Sequence, residues 1–513
     1  MNGRHTDLTV EPFMTNLSEN LTAAAKAHPD ATALICGDRT LSYNEFDDAA
    51  ARMATLLAEL GVESGDRVGL MLPNTPAFAV IFYGIVRRGA IAVPMNPLLK
   101  AREIEFYLAN TGATVLFAAP TFAEEAQLGA EKAATSCILV DDASLDSMLA
   151  DVEPQPEATP RDDEDTAVIL HTSGTTGKPK GAELTHRGLG RNAEVCVRTL
   201  FEASSDDVVM GCLPLFHVFG LTCGLNASVV ACATLTLMPR FDPAEALEII
   251  ARDEVTIFQG VPTMYSALIA ARLPTHDTSS LRTCASGGAA LPAQVITDFE
   301  KAFDAMILEG YGLSETSPVA CFNHPDRIRK AGSIGTPIEG VQMRIVDTDG
   351  NPVAVGDPGE IQVRGHNVMK GYWNLPDATT AAIDAEGWFS TGDVGTLDDD
   401  GYYTVIDRTK DMIIRGGFNV YPREIEEVIY EHPAVAAAAV IGIPHDSLGD
   451  EIGAAVTLKP GQSISEDDLR DYIKARVAAY KYPRKIWFLD ALPTGATGKI
   501  QKRDITVPEE ATS

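Results

Sequence analysis

Short apolar runs alternate with stretches of helical periodicity through the first part of the chain. Val68-Gly69-Leu70-Met71-Leu72, Ala90-Ile91-Ala92-Val93-Pro94 and Thr114-Val115-Leu116-Phe117 are continuous, and a helical pattern over residues 77–88 separates the first two. Strands that are apolar on both faces belong to sheets covered by helices, so the pattern predicts an α/β fold. Over residues 333–405 the rhythm shifts to short strands separated by Asp349-Gly350, Asp357-Pro358-Gly359 and Asp400-Gly401, the turn signals of a small β-rich subdomain. Beyond Arg408 the pattern predicts helices over 423–430 and 467–479 around a strand at 435–441, a compact α+β unit. A Pro-rich, acidic stretch at 151–165 reads as a connector inside the large unit.

Composition narrows the partners. At 513 residues the chain exceeds what one core supports, so two or more domains are expected. With 41 basic against 72 acidic residues the formal charge is −31, which argues against nucleic acid or an anionic membrane surface as the main partner. Any bound nucleotide must therefore be held by local charge. The eight cysteines form no C-x-x-C pair and the ten histidines no zinc spacing, as expected of small buried residues in a reducing compartment. Residues 218–239 carry no charge but include Asn226, Ser228 and several threonines and glycines, which fits a buried helix running into a core strand better than a membrane span. The first residues lack the apolar core of a signal peptide, so a cytoplasmic protein is expected.

The most informative segment is T-S-G-T-T-G-K-P-K-G, residues 172–181, directly after Ala167-Val168-Ile169-Leu170. Its glycines can bring bare N–H groups against an anion, Thr172, Ser173, Thr175 and Thr176 offer hydroxyls, and Lys178 and Lys180 offer charge. That is a phosphate loop. The P-loop NTPase pattern would need Gly where Thr172 stands and Ser or Thr where Pro179 stands, so a kinase or GTPase of that type is excluded.

Further motifs follow in order. Ser286-Gly287-Gly288-Ala289-Ala290 ends a strand-like run and leaves room for a planar base beside the backbone. Y-G-L-S-E-T at 311–316 brings a carboxylate, and S-T-G-D at 390–393 places a second one, Asp393, in a turn where it can accept from paired hydroxyls. Ile406-Asp407-Arg408-Thr409-Lys410 supplies cations. P-T-G-A-T-G-K at 493–499 is a glycine-hinged turn ending in a lysine, and Pro214-Leu215-Phe216-His217-Val218-Phe219-Gly220 is aromatic around one histidine.

Together these segments resemble, over nearly the whole chain, the adenylate-forming (AMP-binding) superfamily, in particular its acyl-CoA synthetases and bacterial fatty-acid–CoA ligases. The resemblance implies a large multi-sheet adenylation domain at 1–409 and a small mobile α+β domain at 410–513. It implies ATP contacts at Thr172, Ser173, Gly174, Thr175, Thr176, Gly177 and Lys180, at Gly287, Gly288 and Ala289, at Tyr311, Gly312 and Ser314, and at Asp393, Arg408 and Lys499. It makes Glu315 the Mg²⁺ ligand and Lys499, Thr176 and Glu315 the catalytic residues. It puts the acyl group among His217, Phe219, Cys223, Val261, Gly312, Pro318 and Val319, CoA against Arg415, Gly416 and Gly417, and the hinge at Lys410, with Asp411 its neighbour. The sequence departs from the family in having Ser314 where Thr is more usual, and Gly416 where plant-type aryl ligases often have Lys.

The activity so implied is an acid–CoA ligase: carboxylate and ATP give an acyl-adenylate and diphosphate, then CoA displaces AMP. The pocket residues carry no charge, which suits a medium- or long-chain fatty acid; an aryl acid such as a cinnamate is the alternative, and loading of a carrier-protein thiol another. No carrier domain is legible after Lys499, so a carrier would be a separate chain. A luciferase-like oxygenase has no supporting motif, and a regulator without catalysis would not need both Lys499 and Glu315. The expected partners are a small carboxylic acid, ATP and CoA, with no nucleic acid and no integral membrane span; a homodimer is compatible with the resemblance.

Overall fold

The computed structural model describes residues 16–172, 179–408, 411–415, 418–445, 449–495 and 498–508. Among them the chain forms four sheets. One runs Gly371–Tyr372, Lys180–Thr185, Thr166–Thr172, Ile91–Pro94, Arg67–Met71, Val115–Ala118, Ser136–Leu139, with its last five strands parallel. A second runs Thr336–Pro337, Val319–Phe322, Met306–Gly312, Thr283–Ser286, Ile257–Gly260, Val208–Gly211, Thr234–Leu237, Thr32–Cys36, Arg39–Ser42, parallel from Met306–Gly312 to Thr32–Cys36. The α/β expectation and the separation of a large multi-sheet domain from a smaller C-terminal one are both met.

The helix Pro76–Arg87 explains how the large domain holds together. Every one of its residues is buried, which is the condition for a helix apolar around its whole circumference. Phe78 and Phe82 are fully buried, each worth about 1.5–3 kcal/mol of burial. Its neighbour Tyr43–Glu59 begins at a capping box: the Ser42 hydroxyl accepts from the Glu45 N–H at 3.2 Å while the Glu45 carboxylate accepts from the Ser42 N–H at 2.8 Å. At the end of Pro76–Arg87 the buried Arg87 pairs with Asp47 at 2.7 Å and donates to the carbonyls of Gln155 and Pro156, both at 3.1 Å. The 151–165 connector is thereby tied to the core rather than loose.

The uncharged run at 218–239 is a buried π-turn helix, Phe219–Asn226, continuing into Ala227–Ala231 and the core strand Thr234–Leu237. No helix among the described residues is long and apolar enough to cross a membrane. The β-rich segment forms the antiparallel sheet Val341–Val346, Gly359–Gly365, Phe389–Leu397, Tyr403–Arg408. It is narrower than expected, because Thr336–Pro337 and Gly371–Tyr372 pair instead with strands of the two large sheets.

The smaller domain has its own core, with Ile425, Ile429, Val440, Ala454, Val456, Leu469 and Ile473 closed between one five-stranded sheet and the helices Pro422–Tyr430 and Glu466–Lys474. The latter helix stops before the expected 479. Its apolar stripe runs out at Ile473, and Arg476 folds back to lay its guanidinium 3.6 Å from the Tyr472 ring centroid.

Gly84 sits where the helices Pro76–Arg87 and Tyr43–Glu59 touch; a Cβ there would lie 2.5 Å from Met53 Cγ and 2.6 Å from Met53 Cβ. Gly84→Ala gains about 1 kcal/mol of helix propensity but incurs overpacking of about 1–3 kcal/mol against a side-chain root that cannot swing away. The expected outcome is a less stable protein, read as a lower urea midpoint than the unmodified chain.

Candidate active site

At the carboxyl ends of the parallel strands Ile257–Gly260, Thr283–Ser286 and Met306–Gly312, the following loops open on a cavity of about 680 Å³. That edge is where open α/β sheets bind ligands, since the connecting loops diverge there and leave a crevice. Gly288, Ala289, Tyr311, Gly312 and Asp393 line it from the large domain, and Lys499 lines it from the small one. Four separate sequence motifs therefore meet in one place.

Tyr311 and Asp393, distant in sequence, are joined directly: the phenol donates to Asp393 Oδ2 at 2.6 Å. Asp393 is 3% exposed; the Tyr311 bond orients its carboxylate, while its backbone N–H donates to the Thr391 hydroxyl at 3.1 Å. Arg408 lies opposite it in the strand register of Phe389–Leu397 and Tyr403–Arg408; its side chain is outside the described residues. Ser314 begins a single 3₁₀ turn, Ser314–Thr316, that presents Glu315.

Glu315 is buried and accepts two hydroxyl hydrogen bonds at Oε1, from Thr172 at 3.0 Å and from Tyr372 at 3.1 Å. Thr172 is the first residue of the phosphate loop; Ser173, Gly174, Thr175, Thr176, Gly177 and Lys178 lie outside the described residues. On the far side of that loop Lys180 places its ammonium 4.9 Å from the Tyr372 ring centroid. Burial, then the Glu315 charge, pushes the Tyr372 phenol up, so it remains a donor. Sequence reasoning missed Tyr372. Its two-residue strand joins the site only by pairing antiparallel with Lys180–Thr185, a long-range contact with no local signal.

Lys499 reaches the cleft past Gly288, which has φ +80°. A Cβ at Gly288 would stand 2.7 Å from Lys499 Cε, so the lysine would have to move aside, and the positive φ itself favours glycine there. The loop carrying Lys499 is held to the large domain by Thr263, whose hydroxyl donates to the Gly498 carbonyl at 2.8 Å. Thr263 is another residue with no sequence signal.

Lys499 also lines a small adjoining cavity of about 10 Å³ with Leu213, Pro214, His217, Phe219, Gly220, Val261 and Gly288. Burial, and secondarily the Lys499 charge, lowers the His217 imidazole to about 3, so it is neutral at physiological pH. Phe219 closes this slot: its ring lies against Gly287, where a Cβ would be 3.1 Å away. Gly312 lines the larger cavity instead. The remaining expected acyl contacts sit behind the walls. Cys223 is 1% exposed, packed with its sulfur 4.0 Å from that of Cys196. Pro318 and Val319 line neither cavity, the Val319 carbonyl being taken up by Asn192 and Asn367 at 2.8 and 3.0 Å.

Arg415 stands away from the cleft, on the small domain's sheet, in a two-pronged ion pair with Glu451 at 2.6 and 2.9 Å. Gly416, Gly417 and Lys410 are outside the described residues.

Comparison with known proteins bears on the same residues. The model of the AMP-binding enzyme family matches residues 21–373, and that of the AMP-binding enzyme C-terminal domain matches residues 424–499. A long-chain-fatty-acid–CoA ligase of Bacillus subtilis is 35% identical over 96% of this chain and 94% of its own. A feruloyl-CoA synthase of an Amycolatopsis species is 39% identical over 94% and 96%. Among solved structures, an anthranilate CoA ligase in complex with anthranoyl-AMP superposes with a TM-score of 0.91 at 32% identity, covering 96% of each chain. The chain belongs to the AMP-binding enzyme family.

Proposed function

We propose that this AMP-forming acid–CoA ligase activates an apolar monocarboxylic acid, a medium- or long-chain fatty acid in the first place. The observation that carries the reading is the uncharged lining of the slot beside Lys499, which at about 10 Å³ has to open to admit a chain. Its other lining residues, Leu213, Pro214, Phe219, Gly220, Val261 and the neutral His217, offer no charge to a second carboxylate. The B. subtilis fatty-acid ligase relative supports the same choice. An aryl acid is the second reading, favoured by the flat face that Phe219 and Gly287 make together and by the feruloyl-CoA synthase relative.

In the first step a carboxylate oxygen bonds to the α-phosphorus of ATP while the bond to the diphosphate breaks. Both reactants are anionic, so the site must supply positive charge where they meet. Lys499 does so from the small domain, with Thr172, Thr176 and Lys180 around the departing diphosphate. Asp393, oriented by Tyr311, accepts from the ribose hydroxyls, Arg408 assists there, and Tyr311 with Gly287, Gly288 and Ala289 bounds the adenine. Mg²⁺, when bound, adds charge at the phosphates; a buried carboxylate backed by the Thr172 hydroxyl fits the way that ion is held, by one or two carboxylates plus substrate phosphates. Glu315 is the residue that would hold it.

In the second step the CoA thiol gives up its proton, its sulfur bonds to the acyl carbon, and the bond to AMP breaks. Lys499 lines both the cleft and the slot beside it, which supports a reading in which the domain beyond residue 410 turns between the steps, with Lys410 as pivot and Arg415, Gly416 and Gly417 brought to the thiol's path. All eight cysteines are free thiols, which suits an enzyme of the cytoplasm.

Acid-dependent exchange of diphosphate into ATP tests the first step. Lys499→Ala should lower it by roughly 10²- to 10³-fold, the scale of one lost charge-stabilising donor; unchanged exchange would remove Lys499 from the mechanism. A panel of acids then fixes the substrate. Octanoate to palmitate should be turned over faster than cinnamates, and short dicarboxylates hardly at all. Cinnamates ahead of every fatty acid would establish the second reading.

A further inference from the structure

The large cavity continues past Lys499 into the seam between the domains, where the helix Pro422–Tyr430 faces the large domain. The second residue of that helix, Arg423, is only 13% exposed at its side chain. Its Nη1 donates to the Val405 carbonyl at 2.6 Å, Nη2 reaches the Gly332 carbonyl at 3.5 Å, and its backbone N–H donates to Asp407 Oδ2 at 3.2 Å. All three acceptors belong to the large domain. One turn on, Glu427 lies 3.8 Å from Arg423 Nε and bonds to the backbone N–H of Ala293, at the start of the large-domain helix Ala293–Phe303.

Opposite Arg423 is an unusual carboxylate. Glu309 is 4% exposed on the strand Met306–Gly312, two residues before Tyr311. Its Oε1 accepts from the Leu291 N–H at 3.0 Å and lies 3.9 Å from Arg423 Nη2, whereas its buried Oε2 has no hydrogen-bond partner. A buried carboxylate so poorly bonded is costly unless a cation compensates it. Burial pushes its carboxyl up to about 7, and the Arg423 charge is the first influence opposing that, with Glu427 adding to it. The cation that Glu309 faces is therefore supplied by the other domain.

We propose that Arg423 is a positioning residue for adenylation: it compensates Glu309 across the seam, holds the small domain where Lys499 enters the cleft, and lets go when that domain turns for thioester formation. This rests on the two-step reading above. Arg423 touches no reacting atom. Its effect is on how often Lys499 is in place, so the two half-reactions should respond differently to its loss.

The test uses the full chain and measures two rates, acid-dependent diphosphate exchange and conversion of supplied acyl-adenylate and CoA to acyl-CoA. Arg423→Ala should lower exchange roughly 10- to 100-fold, because docking then loses the guanidinium bonds to the large domain and leaves Glu309 to bury a charge or take up a proton, while thioester formation stays within about threefold of the unmodified protein. Adding Glu309→Gln to Arg423→Ala should recover about fivefold or more of the lost exchange, since the large-domain carboxylate that Arg423 faced is then removed with it. Arg423→Gln, closer in volume, gives the same split if the alanine variant does not fold. Equal losses in both half-reactions, or a double variant no better than Arg423→Ala, would overturn the proposal. Failure of the ligase reading shows separately, as no acid-dependent exchange in the unmodified protein.

Discussion

The cleft is built by one domain and completed by an amine from another, and the rest of the arrangement follows from that division. Lys499 reaches the cavity through two glycine-dependent points: Gly288, which leaves room for its side chain, and Gly498, at φ +76°, whose carbonyl is taken by Thr263. A protein carrying a formal charge of −31 offers anions no general attraction. Local cations must therefore be delivered to the point where charge builds, and a cation delivered on a separate body can also be withdrawn. A side chain fixed on the rigid sheet could not do the second thing.

Rigidity is reserved for the other components. The fully buried helix Pro76–Arg87 and the long parallel sheets make a platform on which the strand ends cannot drift, and Asp393 is clamped by Tyr311 and Thr391 before any ligand arrives. The contacts across the domain seam are of a different kind. Among the described residues they are hydrogen bonds and charge pairs, from Arg423, Glu427 and Thr263, and the apolar clusters of the two domains stay separate. Polar contacts of that sort exchange readily for water, so they hold an orientation without making it permanent.

Much of this was legible in the chain because the chemistry is concentrated in short contiguous motifs. Glycine-rich turns, a carboxylate after Tyr311-Gly312 and a lysine closing a glycine turn each carry their own local signal, and periodicity alone placed Pro76–Arg87 and Pro422–Tyr430 to within a residue or so. What stayed hidden depends on long-range pairing. Tyr372 reaches Glu315 only through a two-residue strand docked on Lys180–Thr185, and Glu309 looks like an ordinary strand residue until the small domain lays Arg423 over it. Cys223, expected beside the acyl group, is 1% exposed and lines neither cavity. Its sulfur packs 4.0 Å from that of Cys196, a neighbour contributed by another helix and invisible in the local sequence.

Glu309 and Glu315 show how environment separates two carboxylates six positions apart. Glu315 has hydroxyl donors from Thr172 and Tyr372, groups that satisfy a carboxylate without neutralising it, which leaves it suited to a divalent cation. Glu309 has one backbone donor, one orphaned oxygen and a guanidinium 3.9 Å away on a different domain. The first arrangement keeps negative charge available to a ligand; the second makes the carboxylate depend on the position of its partner domain. Because both sit on the same strand and the turn that follows it, the residue that Arg423 faces across the seam belongs to the segment that presents Tyr311 and Glu315.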